Sequence, residues 1–135
     1  PKAPVVNDAI DTHDAPDRPA KILLVDDDVL IAMSTADMLV DLGHEVVEAN
    51  SGEDALSALS RDGGFDLMIT DFSMPGMNGA QLAKRVQKIM PDLPIILATG
   101  YAEMPAGVEM NVPRLSKPYS QIDLKREITR LLGAQ

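Results

Sequence analysis

The sequence predicts an α/β fold: a doubly wound parallel sheet of five strands with helices packed on both faces. Three observations predict it. Apolar runs of strand length alternate five times with stretches of helical periodicity, the pattern of parallel strands joined by crossover helices. The first, third and fourth runs are unbroken apolar segments, as expected of strands covered on both faces. The second and fifth carry His44, Glu45, Glu48, Pro113 and Arg114, which suit sheet edges. Interior strands one, three and four with edges two and five give the order 2-1-3-4-5.

Each element has its own local reason. Residues 1–20 contain Pro1, Pro4, Pro16 and Pro19 and four aspartates, with too few apolar groups to offset the entropy of ordering, and are expected to be a linker. The folded domain is placed at 21–135. The run at 22–25 is the first strand. Val29, Met33, Ala36, Leu39 and Val40 then recur at helical spacing until Gly43 stops the helix. Residues 44–49 form the second strand. Ser51 with Asp54 has the form of a capping box and opens a helix through Leu56 and Leu59, ended by Gly63 and Gly64. Residues 67–71 are the third strand, and Leu82, Val86 and Ile89 mark a helix that stops before Pro91. The fourth strand is 95–99 and the fifth 112–116. Pro105 and Gly107 leave room for only a short helix between them. Ser120 and Asp123 open the last helix, lined by Leu124, Ile128, Leu131 and Leu132.

Composition excludes several function classes. The 135 residues suffice for one domain with a sizeable core. Twelve basic against twenty-one acidic residues leave a formal charge of −9, which disfavours nucleic acid or an anionic membrane surface as partner. No cysteine is present, so disulfide and thiolate chemistry are excluded and a reducing compartment is allowed. The longest apolar runs are too short to cross a bilayer. Pro1 in place of Met is expected to mark an excerpt from a longer chain.

In a sheet of this order, ligands bind beyond the carboxyl ends of the strands, where strands one and three diverge. Asp26, Asp27 and Asp28 follow strand one, Asp71 ends strand three, Thr99 ends strand four, and Lys117-Pro118 follows strand five. Carboxylates brought close together repel, and a hard divalent cation, Mg²⁺ or Mn²⁺, relieves the conflict where only oxygen ligands are on offer. Asp27 and Asp71 are the expected direct ligands, with the Ser73 backbone carbonyl as a third and Asp26 supporting a bound water. Asp28 is expected to cap the following helix. An ionised Asp71 can attack phosphorus without a general base, provided that charge is neutralised around it. Lys117 supplies one positive centre, and the Thr99 hydroxyl can hydrogen-bond a phosphoryl oxygen. The Lys117–Pro118 bond is a candidate cis peptide that would aim the ammonium inward. His13 and His44 lack a second ligand at useful spacing and are read as structural. The eight methionines are read as core filling.

VDDD at 25–28, DFSMPGMNG at 71–79, ATG at 98–100 and SKP at 116–118 resemble the receiver domains of two-component response regulators, over nearly the whole span from Lys21 to Leu132. The resemblance implies the flavodoxin-like receiver fold. It also implies that Asp71 accepts a phosphoryl group from a phosphohistidine on a histidine kinase or phosphotransfer domain, that Asp26 and Asp27 help to hold Mg²⁺, and that Thr99 and Lys117 sense the phosphorylated state. Such a domain is cytoplasmic, has no turnover beyond gaining and losing its own phosphoryl group, and signals by repacking the face around strands four and five. Two positions bear on readout. Arg114 stands where the family often has an aromatic switch residue, and Tyr101 stands where relatives modulate dephosphorylation, so Tyr101 is expected to shield the acyl phosphate. The ATGYA stretch and the Pro-rich leader resemble receivers appended to hybrid sensor histidine kinases; a stand-alone regulator is the alternative. A phosphatase of the haloacid-dehalogenase type is a further rival, since Asp26 and Asp28 have its D-x-D spacing. It needs an insertion after strand one, however, whereas helical periodicity begins here at once.

Overall fold

The computed structural model describes residues 19–100 and 112–133. Its elements are β1 (Lys21–Val25), α1 (Val29–Asp41), β2 (Glu45–Ala49), α2 (Gly52–Arg61), β3 (Leu67–Asp71), α3 (Gly79–Ile89), β4 (Ile95–Thr99), β5 (Arg114–Ser116) and α4 (Gln121–Leu132). The five strands pair in parallel in the order β2-β1-β3-β4-β5, as the sequence leads one to expect. The expected short helix between strands four and five, Tyr101, and the first eighteen residues of the expected linker lie outside the described residues.

Alternation along the strands divides the interior into two cores. Leu23, Val25, Met68, Ile95 and Leu97 point to one face, where they meet Ala55, Ala58, Leu82, Ala83 and Val86 of α2 and α3. Ile22, Leu24, Leu67, Ile69 and Ile96 point to the other and meet Ala36, Leu39, Leu124 and Ile128 of α1 and α4. β1, β3 and β4 are buried almost throughout because both faces are covered, whereas edge strand β2 is mostly exposed or half-buried.

The ends of the elements follow capping chemistry. Ser51 accepts from Asp54 N at 3.0 Å, and the Asp54 carboxylate reaches back to Asn50 N, one residue before the cap itself. Asn78 with Gln81, and Ser120 with Asp123, form reciprocal capping boxes at the starts of α3 and α4. Gly43, at φ 101°, turns the chain out of α1 through a conformation that a side chain would strain.

Three details depart from the sequence reading. In α1 the buried residues are Ala32, Thr35, Ala36 and Leu39, while Val29, Met33 and Val40 are exposed. The helix is apolar nearly all round, so its periodicity does not single out one face. β5 starts at Arg114, not at residue 112, since Pro113 has no amide hydrogen for the ladder and contributes only its carbonyl to Leu97 N at 2.9 Å. Ile89 at the end of α3 is exposed.

His44 is structural, and buried. Its Nδ1 accepts from Ala20 N at 3.1 Å, and Glu45 N donates to the Ala20 carbonyl at 2.9 Å, so the start of β1 is pinned beside β2. Burial pushes the His44 pKa below its ordinary value of 6.5, with Asp66 pulling the other way. The folded chain therefore holds neutral imidazole, which the acceptor role of Nδ1 also requires. As pH falls below 6.5 the unfolded chain takes up this proton before the folded chain does. The stability contributed by neutral His44 is fully present above pH 6.5 and declines as pH falls toward the lower folded-state value. In urea titrations from pH 7.5 to 5, the wild type is expected to lose more stability than His44→Gln. Parallel pH curves for the two proteins would contradict this assignment.

Candidate functional site

Parallel strands all end at one rim, and that rim collects the polar groups. Asp26 leaves β1 with its amide bonded to the Ala49 carbonyl at 3.1 Å, and its Oδ1 accepts from Asp28 N at 2.9 Å. Asp28 caps α1, accepting from Leu30 N at 3.0 Å and Ile31 N at 3.1 Å. The helix therefore starts at once after the acidic run, with no insertion between them. Asp71 is the last residue of β3, in register with Ala98 of β4. Asp26 and Asp71 are 5% and 6% exposed, whereas Asp27 is open to solvent.

The three carboxylates converge: Asp26, Asp27 and Asp71 each offer an oxygen within 4.8 Å of the other two. Lys117 closes the cluster by forming an ion pair with Asp71 Oδ1. Its backbone is held from β4, since Lys117 N donates to the Thr99 carbonyl at 2.8 Å. The Lys117–Pro118 bond is cis, as the sequence reading anticipates. Thr99 is buried at the end of β4, one position beyond the partner of Asp71. Ser73 lies exposed in the turn after β3, two residues beyond Asp71. Arg114, in register with Leu97, points to solvent and not into this site.

The electrostatics fit a cation. Burial pushes the Asp26 carboxyl above its ordinary value. The Asp28 amide and the Lys117 ammonium oppose that rise, and the charges of Asp27 and Asp28 add to it. Crowded, partly dehydrated carboxylates of this kind relax when a divalent ion shares their oxygens. The donor set contains only oxygen, which suits a hard ion such as Mg²⁺ and not a thiolate- or imidazole-seeking metal.

Gly79 closes the DFSMPGMNG stretch matched in sequence, but the physical reason for a glycine there appears only in the structure. The turn from β3 into α3 brings Gly79 N to the Phe72 carbonyl at 2.8 Å, and a Cβ on Gly79 would strike the Asp71 carbonyl oxygen and the Leu97 side chain. Only glycine lets α3 begin against the backbone of Asp71. A glycine at a helix start reads locally as a neutral choice, so nothing in the flanking residues signals this approach.

The fold and rim are those of a receiver domain, and comparison with known proteins agrees. Residues 22–129 match the family model described as response regulator receiver domain. The chain belongs to that family. It is 42% identical to the response regulator protein FleR of Pseudomonas aeruginosa over 90 residues, which are 67% of this chain but 19% of FleR. It is 36% identical over 118 residues to the response regulator receiver protein CpdR of Brucella abortus, covering 84% of this chain and 98% of CpdR. The crystal structure of the receiver domain from the hybrid histidine kinase CckA superposes with a TM-score of 0.69 at 31% identity, covering 83% of this chain and 98% of that one. The chain thus spans about a fifth of FleR and nearly all of CpdR. No helix among the described residues is long and apolar enough to cross a membrane.

Gly79→Ala is expected to cost about 1–3 kcal/mol of stability, the usual range for overpacking, because the atom it meets is rigid backbone. Gly52→Ala is the control. Its added Cβ meets the flexible Met77 side chain, 2.7 Å from Sδ, which can swing away. Comparison of the two urea midpoints checks the pair, and a smaller loss at Gly79 than at Gly52 would refute the argument.

Proposed function

We propose that this domain is the phosphoacceptor of a two-component phosphorelay, with Asp71 taking the phosphoryl group from a phosphohistidine on a histidine kinase or histidine phosphotransfer domain. The observation that carries the reading is the buried Asp71 carboxylate, ion-paired with Lys117 and flanked within 4.8 Å by the oxygens of Asp26 and Asp27.

An Asp71 oxygen attacks phosphorus as the P–N bond of the donor breaks. The electron pair of that bond returns to the imidazole, which leaves neutral provided that its other ring nitrogen carries a proton, and an acyl phosphate remains on Asp71. Before transfer Lys117 neutralises the Asp71 carboxylate; afterwards its ammonium pairs with a phosphoryl oxygen. The buried Thr99 hydroxyl, on the adjacent strand end, donates to another. Asp26, Asp27, Asp71 and the Ser73 carbonyl hold Mg²⁺, which when bound supplies positive charge beside the transferring group. The first turn of α1 follows the acidic run directly, and its Val29 and Leu30, 65% and 77% exposed, offer a donor an apolar contact beside the site. Output is a population shift of the loops around β4 and β5. With Arg114 exposed, that shift runs without an inward-turning aromatic ring at this position. The linker expected at 1–20 ends short of Ala20, which is buried and bonded to His44 and Glu45 and so belongs to the folded domain.

For the parent context we propose the receiver of a hybrid sensor kinase acting in the cytoplasm, supported by the likeness to the CckA receiver domain. A stand-alone regulator is the second reading, favoured by the match to nearly the whole of CpdR. The phosphatase rival loses support because α1 follows Asp28 directly, leaving no insertion to cover a substrate.

Incubation with acetyl phosphate and Mg²⁺ is expected to add one phosphoryl mass to the wild type and none to Asp71→Asn. Equal labelling of both, or labelling indifferent to Mg²⁺, would dismiss the proposal. In thermal unfolding, Mg²⁺ at one hundred times its Kd is expected to stabilise the wild type by about 2.7 kcal/mol. Asp27→Asn should respond far less, and an equal response would remove Asp27 from the ligand set.

A further inference from the structure

α1 and the turn from β5 to α4 meet across an apolar seam crossed by two polar ties. Thr35 Oγ1 and the Tyr119 hydroxyl lie 2.9 Å apart, and Gln121 Nε2 donates to the Met38 carbonyl at 3.1 Å. Thr35 is 2% exposed, and the neighbours on its helix face, Ala32, Ala36 and Leu39, are apolar and buried. Valine has the same shape and would fill this site with no hydroxyl to satisfy. A buried hydroxyl is tolerated only with a partner, and the partner here is a phenol two residues beyond Lys117.

The turn that carries Lys117 gains from such an anchor. β5 has three residues and, among the described residues, pairs on one side only. After the bond from Lys117 N to the Thr99 carbonyl, Pro118 has no amide hydrogen to donate, and Ser120 is engaged in capping its own helix. The ring of Tyr119 packs into the core beneath α1 and α4, which leaves its hydroxyl to meet Thr35. The charges of the site reach Tyr119. Burial raises its pKa first of all, the Thr35 bond and the Lys117 ammonium oppose this, and the Asp26 and Asp71 carboxylates add to it.

We infer that the Thr35–Tyr119 hydrogen bond is a positioning element for Lys117, locking the turn at 117–120 against α1 so that the ammonium stays on Asp71. Its effect on phosphoryl transfer rests on the phosphoacceptor reading; the placement of Lys117 does not. The bond joins residues 84 apart in sequence, and it ties the helix next to the carboxylates to the lysine that neutralises them.

The test uses the full chain with Tyr119→Phe, Thr35→Val, their double variant, and Thr35→Ser, which keeps the hydroxyl. Thermal unfolding establishes that each variant folds. The nitrogen-15 resonance of the Lys117 ammonium, visible when the group is ordered and shielded from exchange, reports placement. The rate of labelling by acetyl phosphate with Mg²⁺ reports function. Tyr119→Phe and Thr35→Val are expected to broaden or abolish the ammonium resonance and to slow labelling roughly three- to tenfold, the effect of one hydrogen bond. The double variant should do no worse than either single change, and Thr35→Ser should match the wild type. An unchanged resonance in folded Tyr119→Phe and Thr35→Val overturns the inference. So does a loss in Thr35→Ser as large as in Thr35→Val, which would indicate packing alone, and so does a wild type with no ordered ammonium signal. A wild type that takes no label, yet loses the resonance in both hydroxyl-deleted variants, overturns the phosphoacceptor reading and supports the placement.

Discussion

Three carboxylates that share a space less than 5 Å across repel one another strongly, and the fold has to hold them there. The Lys117–Asp71 ion pair makes this tolerable by setting a positive charge against one of them. Much of the surrounding architecture serves that contact. Lys117 comes from the chain beyond an edge strand and must cross over β4 to reach the end of β3. The backbone bond to Thr99 brings it to the rim, and the turn after it docks on α1. An ion pair this buried gains little net stability, since desolvation offsets the attraction. What it supplies is a charged group held ready where negative charge accumulates.

The strands beneath the rim are closely packed. β1, β3 and β4 are sealed on both faces by aliphatic side chains, so Asp26 and Asp71 sit on a support that has no room to shift. The elements around that support are looser. β5 is short, α1 exposes much of its apolar surface, and Asp27 stands in solvent. Closely packed and exposed parts thus meet at the carboxylates, a division that suits the phosphoacceptor role proposed for the domain.

The sheet was legible because burial leaves a direct mark on composition. Strands covered on both faces must be continuous apolar runs, and the acids at their ends stand out against them. Strand order and edge assignment followed from the charges of β2 and the proline before β5. The gathering of the candidate residues at one rim was legible for the same reason, since Asp26, Asp27, Asp71, Thr99 and Lys117 each stand at or just beyond a strand end. Less legible were features decided by side-chain direction or by distant contact. The buried face of α1 could not be read from a helix whose apolar residues spread around most of its circumference. The Thr35–Tyr119 tie joins residues with no local relation, and the need for glycine at 79 comes from the backbone of another element. His44 reads as an unremarkable residue opening an edge strand until Ala20 is seen to donate to it.

The two borders of the sheet differ in how they meet other molecules of the same kind. Along β2, Glu45 and Glu48 stand exposed on a strand that, among the described residues, is paired on one side. A second copy trying to extend the ladder there would set carboxylate against carboxylate. The opposite border is only three residues long, too short to template a neighbour, and it carries an exposed arginine. Charge guards one margin and brevity the other, so crowded copies of the domain should resist stacking edge to edge into aggregates.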